Sequence, residues 1–133
     1  MPAGRFFDTN LIVYFAIQNA PHSGRAAELI EGGGTISVQV LNEFTNVARS
    51  RMRMSWDEVN DTLQLLQDLL DVQPLTIAVQ HLGVALAERY NFHIYDAMIV
   101  AAALEADCDV LYSEDMQHGL VVEKRLRIVN PFV

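Results

Sequence analysis

Short β-rich runs alternate with longer stretches of helical period along this chain, and that alternation confines it to an α/β fold with a mainly parallel sheet and helical crossovers. Arg5-Phe6-Phe7, Thr35-Ile36-Ser37-Val38, Asp109–Ser113 and Arg127–Val129 read as strands. Val72-Gln73-Pro74-Leu75 reads as a short strand or an extended link. Helices are expected at Leu11–Ile17, from Ser23 as cap through Glu31, over 39–53, and from the capping box Ser55-Trp56-Asp57-Glu58 to Leu70. Two more follow: one capped by Thr76 and stopped at Asn91, and one from Tyr95 to Ala106 that is apolar nearly all round and therefore central. No linker, repeat or low-complexity segment divides residues 1–133, which read as a single domain.

A parallel sheet collects the carboxyl ends of its strands on one edge, where open α/β folds bind ligands. Four acids fall at such ends or in the helix that follows: Asp8 after Phe7, Glu43 after the Thr35 run, Asp96 at the start of the apolar helix, and Asp115 after the Asp109 run. Each has an ordinary alternative. Asp8 and Asp96 suit helix starts, Glu43 suits a solvated helix face, and Asp115 with Glu114 suits an acidic turn. Thr9 and Asn10 are able to satisfy the first helix start themselves, which would free Asp8. Carboxylates brought together repel one another unless a cation joins them. The pattern therefore predicts a divalent-metal site and a phosphate-bearing substrate.

Charge narrows the partners. The formal net charge is −8, with a single lysine, Lys124, and five of the eight arginines in two clusters: Arg49, Arg51 and Arg53, then Arg125 and Arg127. A polynucleotide is normally held by a basic surface. Polynucleotide contacts are therefore expected only locally, with Arg49, Arg51 and Arg53 as candidates and metal ions supplying the missing positive charge, and a basic protein partner is favoured. Hydrophobic residues form 51% of the chain and charged residues 20%, as in a compact domain. No apolar run has membrane-spanning length. The N-terminus has no signal-peptide pattern, and lone Cys108 excludes an internal disulfide, so a cytoplasmic protein is expected.

Other site chemistries are absent. Gly32-Gly33-Gly34 precedes a strand and lacks the following Lys and Ser/Thr of a phosphate loop. His22, His81, His93 and His118 have no ligand spacing and read as surface or packing. Ser113 lacks a glycine-flanked elbow. Lys124 sits poorly for a receiver-type phosphoacceptor site, and Asn10 stands where a haloacid-dehalogenase-type site would need Asp.

Four segments taken in order, Phe6-Phe7-Asp8-Thr9-Asn10, Leu41-Asn42-Glu43-Phe44, Tyr95–Ala103 and Leu111-Tyr112-Ser113-Glu114-Asp115-Met116, resemble the motifs of PIN domains. The likeness is to the single-domain VapC toxins of toxin–antitoxin pairs, and it covers the entire chain. It implies a three-layer α/β/α fold around a twisted, mainly parallel sheet, and a ribonuclease dependent on Mg²⁺ or Mn²⁺. It carries Asp8, Glu43, Asp96 and Asp115 over as the acidic quartet. Asp8 and Asp96 are then the first choice of direct metal ligands, with Glu43 and Asp115 binding a second ion or acting through water. Thr9 or Asn10 would orient Asp8; Ser113 and Glu114 would support the site. Met116-Gln117-His118-Gly119 departs from the aromatic that many members place after the fourth acid. The implied partners are RNA, a small antitoxin with a basic arm, and a second copy in a homodimer. An apolar groove formed by Leu11–Ile17 and Val59–Leu70 is the expected antitoxin seat. The alternatives are a hydrolase of DNA or small phosphoesters, and a binding module without nuclease activity.

Overall fold

The computed structural model describes residues 4–133; Met1–Ala3, the start of the span read as one domain, lie outside the described residues. Chain order is β1 (Arg5–Phe7), α1 (Thr9–Ile17), α2 (Ser23–Glu31), β2 (Thr35–Ser37), α3 (Val38–Ser50), α4 (Trp56–Leu69), β3 (Asp71–Gln73), α5 (Ile77–Tyr90), α6 (Ile94–Glu105), β4 (Val110–Tyr112), β5 (Val121–Val122) and β6 (Leu126–Val129). The strands form one sheet in the order β3-β2-β1-β4-β6-β5, flanked by helices in a three-layer α/β/α arrangement. All pairings are parallel except β5 with β6.

Strand β1 lies between β2 and β4, so the chain turns to opposite sides of it and leaves a crevice at its carboxyl end. Successive strand residues face opposite sides of a sheet. Phe6 and Phe7 are nevertheless both fully buried, as they must be when helices cover both faces. Each contributes roughly 2–3 kcal/mol of burial free energy. Helix α6 is buried from Ala97 to Leu104, and its alanines let α5 approach closely. A Cβ on Gly83 of α5 would stand 2.7 Å from the Met98 sulfur, so alanine there requires the Met98 side chain to move aside.

The helix signals worked where a side chain could close its own turn. Ser55 and Glu58 form the reciprocal capping box, Thr76 accepts from the Val79 N–H at 3.1 Å, and Asn91 ends α5 in the left-handed region at φ 58°. Ser23 differs from expectation. His22 occupies the cap position of α2, and the Ser23 hydroxyl instead accepts from the Ala20 N–H at 3.2 Å, closing the preceding turn. Val38 belongs to a helix because the Ser37 side chain caps α3. Helix α3 then stops at Ser50, leaving Arg51 and Arg53 beyond it. The two-residue strand β5 was not foreseen; it is too short to carry a period. Helix α3 packs against both α1 and α4, the helices expected to form an apolar groove; Leu11, Ile12, Val59 and Leu66 are core, while Ile17 and Leu65 are exposed. No helix among the described residues is long and apolar enough to cross a membrane.

Candidate active site

Asp8, Glu43, Asp96 and Asp115 line one cavity of about 410 Å³ at the carboxyl edge of the sheet. Parallel topology brings them there: Asp8 follows β1, Glu43 stands in the second turn of the helix after β2, Asp115 follows β4, and Asp96 is in the first turn of α6.

Asp8 is the best-fixed of the four, with only 4% of its surface exposed. One carboxylate oxygen accepts from the Thr9 N–H at 2.7 Å, so Asp8 itself caps α1. Its expected release from capping by Thr9 and Asn10 does not occur, because the start of the helix follows immediately and the nearest N–H faces the Asp8 carboxylate. The other oxygen accepts from the fully buried Ser113 hydroxyl at 2.7 Å. Ser113 in turn accepts from the Asp115 and Met116 N–H groups at 3.3 and 3.2 Å, tying the β4 loop to Asp8.

The neighbouring side chains divide the rest of the work. The Thr9 hydroxyl donates to Glu43 at 2.9 Å, so Thr9 orients Glu43 with its side chain and Asp8 only with its backbone. Asn10 donates to Asp115 at 3.2 Å, while its 3.5 Å approach to Asp8 is marginal. Gln39, one turn before Glu43, donates to its second oxygen at 2.8 Å. Sequence reasoning missed Gln39, although an i, i+4 amide–carboxylate pair is a readable signal. It also missed Tyr14, whose hydroxyl donates to Glu114 at 2.7 Å across a separation of 100 residues. No sequence pattern announces that pair.

Electrostatics reflect this crowding. The Asp8 carboxyl is pushed up to about 7, first by burial and then by the Asp96 and Glu43 charges, against the opposing hydrogen bonds from Ser113 and Thr9. Asp96 is half-buried and also raised, chiefly by desolvation and then by Glu43, with His93 acting in the opposite sense. Both shifts say that burial and neighbouring carboxylates make ionisation costly here. The donor set is hard oxygen throughout, which suits Mg²⁺ or Mn²⁺. Among the described residues no three His, Cys, Asp or Glu side chains are already closed into a metal cage. Magnesium keeps several waters and takes one or two carboxylates, so an open site of this kind fits it.

The remaining candidates separate. Arg51 lines the cavity; Arg49 and Arg53 are not among its lining residues. The Arg49 guanidinium lies 4.5 Å from the Trp56 ring centre and donates to the Met54 carbonyl. Glu114 faces Tyr14 and lies 3.7 Å from His22. In the loop that departs from the family pattern, Met116 is buried in the core and anchors the turn, while the His118 ring nitrogen accepts from the Asn130 N–H at 2.9 Å.

The PIN domain family model matches residues 5–121, which is most of the chain. The chain belongs to the PIN domain family. Solved structures with the same fold include a toxin–antitoxin complex from Klebsiella pneumoniae, with TM-score 0.73 and 19% identity over 96% of this chain and 98% of that one. Mycobacterium tuberculosis VapC20, a toxin that cleaves the sarcin-ricin loop, gives TM-score 0.69 at 18% identity over 84% of this chain and 90% of its own. VapBC2 from Rickettsia felis, bound to a DNA fragment from its promoter, gives 0.66 at 16% over 95% and 98%. No curated protein matches this PIN domain in sequence.

Proposed function

We propose that this PIN domain is an Mg²⁺- or Mn²⁺-dependent endoribonuclease, the toxin of a VapBC-type pair. The observation that carries the proposal is Asp8: a buried carboxyl that shares a cavity with three other acids, raised to about 7 by burial and by the charges of Asp96 and Glu43. A divalent cation removes that penalty and gives an acidic cavity a reason to admit a phosphate.

Asp8 and Asp96 are the direct ligands in this reading, and Glu43 and Asp115 hold a second ion or its waters. When bound, the ion supplies a nucleophilic water near neutral pH and offsets charge on the phosphate. Ser113 and the Thr9 N–H fix the Asp8 oxygens in place. Thr9 and Gln39 hold both oxygens of Glu43, and Asn10 holds Asp115. No histidine lines the cavity to compete as a general base.

Several structures of the same fold are toxin–antitoxin complexes. Together with the net charge of −8, they support a small antitoxin whose basic arm enters the acid cavity. They equally support assembly as a homodimer, and a cytoplasmic site of action follows from an RNA substrate.

The test is RNA cleavage by purified protein with Mg²⁺, with Mn²⁺ and with chelator. Cleavage should require either ion, and Asp8→Asn and Asp96→Asn should lower it by orders of magnitude while circular dichroism stays native. Full activity in demonstrably metal-free protein overturns the reading. Cleavage of DNA or nucleotides in preference to RNA reassigns the substrate.

A further inference from the structure

Cations are scarce around this cavity, and the fold spends them unequally. Of the three clustered arginines, Arg49 is committed to the Trp56 ring and the Met54 carbonyl. Arg53 sits in a left-handed turn at φ 53° and is not among the residues lining the cavity. Arg51 is the one cation among the lining residues. Its backbone N–H closes the end of α3 onto the Val47 carbonyl at 2.8 Å, while its side chain is exposed and makes no ion pair among the described residues. Four carboxylates line the same cavity, so the absence of a pair requires distance. Glu43 and Arg51 are eight residues apart, which on a helix is about 12 Å along the axis. Val13 of α1 and Asn46 and Val47 of α3 line the same cavity.

We infer that Arg51 takes a phosphate flanking the scissile one and so sets the path by which the RNA strand leaves the acid cluster. The inference rests on the ribonuclease reading and deepens it. A chain of phosphates entering a site of net negative charge needs one fixed attractive point outside the metal. A guanidinium offers a planar fork that matches phosphate oxygens, and it is always charged. The backbone offset of about 12 Å from Glu43 sets that point to one side of the acid cluster. Arg51 is thus a positioning residue for substrate, not a ligand or a proton carrier.

Binding separates this role from a general electrostatic effect. A single-stranded RNA is titrated by fluorescence anisotropy across a range of NaCl, with every variant built on Asp8→Asn to prevent cleavage. Arg51→Ala should weaken binding about tenfold and lower the salt slope by roughly 0.7, the value for one phosphate contact on a single strand. Arg51→Lys should keep the slope and recover part of the affinity. Arg49→Ala and Arg53→Ala should leave the slope unchanged. In the catalytic background, Arg51→Ala should raise KM with kcat little changed. If wild type cuts RNA and Arg51→Ala binds with the same affinity and slope, this inference fails alone. If wild type neither binds nor cuts RNA, the ribonuclease reading fails and takes the inference with it.

Discussion

The two edges of the sheet treat charge in opposite ways. At the amino edge, the guanidinium of Arg5 donates to the Leu29 and Gly33 carbonyls at 2.8 and 2.6 Å, closing the end of α2. Arg125 donates to the Leu104 carbonyl at 2.9 Å and lies 3.3 Å from Asp107, closing the end of α6. Both cations stand where free carbonyls and the helix dipole attract positive charge. At the carboxyl edge, Asp8 and Asp96 stand at the starts of α1 and α6 with no ion pair among the described residues, and both are raised, chiefly by burial and then by neighbouring carboxylates. One edge is complete as folded. The other stores an electrostatic cost that a bound cation would relieve, and that difference, more than the presence of acids, is what points to the proposed site.

The largest expected effect tests that stored cost. Burial pushes the Asp8 carboxyl up to about 7 in the folded chain, above its ordinary value of 3.8. Between those values the unfolded chain has lost its proton and the folded chain retains it. Stability contributed by Asp8 is therefore full below pH 4, falls as pH rises toward 7, and stays low above that. The fall amounts to on the order of 4 kcal/mol at most. Denaturant unfolding in chelator should show this slope in wild type and lose it in Asp8→Asn, whose asparagine still caps α1. Saturating Mg²⁺ should flatten the slope at neutral pH. Asp96→Asn should likewise raise the melting temperature of metal-free protein at pH 7. A wild-type profile that instead rises from pH 4 to 7 by more than that of Asp8→Asn would show that hydrogen bonds dominate at Asp8, and the two edges would then be alike.

The amino edge gives the next effect, with the reverse character. Arg5→Ala leaves the Leu29 and Gly33 carbonyls without their donor and should cost about 2–3 kcal/mol. Arg5→Lys should recover only part, because the shorter lysine does not carry its nitrogen to where Nη2 of Arg5 donates to both carbonyls. Neither variant should change kcat for RNA cleavage per folded molecule, nor the response of stability to Mg²⁺. An Arg5 variant that lost its Mg²⁺ response with its fold intact would show the edges to be coupled.

Much of this contrast was legible in the sequence, for reasons that differ by element. Ser55, Thr76 and Asn91 announce helix ends because their side chains act within three residues of themselves. The gathering of Asp8, Glu43 and Asp115 in one cavity follows from the parallel order of β1, β2 and β4, and the start of α6 brings Asp96 to the same edge. What stayed hidden depends on contacts between distant segments. Ser113 and Asp8 are 105 residues apart, and Thr9 and Glu43 are 34 apart. Which threonine oxygen meets which acid is settled by how α1 leans on α3, and no local period carries that. Strand β5 was missed because it pairs only with β6, over two residues.

Tyr14 carries the smallest prediction and the one that best locates the border of the site. Its hydroxyl binds Glu114, and its ring meets His22 and Phe132 edge-on at 5.1 and 5.4 Å. The hydrogen bond to Glu114 is also the main reason the Tyr14 hydroxyl is raised above its ordinary pKa. Glu114 follows Ser113 and precedes Asp115, so this contact steadies the loop that carries the fourth acid from outside the cavity's carboxylate cluster. Tyr14→Phe keeps the ring contacts and removes only the hydroxyl. Because Glu114 is partly exposed, water replaces the lost donor, and the cost should be about 1 kcal/mol or less. Melting should fall by no more than about 5 °C. RNA cleavage should fall only a few-fold, with the same metal requirement. Glu114→Gln combined with Tyr14→Phe should cost less than the sum of the two single changes, as expected for groups in contact. A loss in Tyr14→Phe as deep as that of Asp8→Asn would instead move the Tyr14 hydroxyl from loop support into the chemistry, and the carboxyl edge would extend one helical turn further up α1.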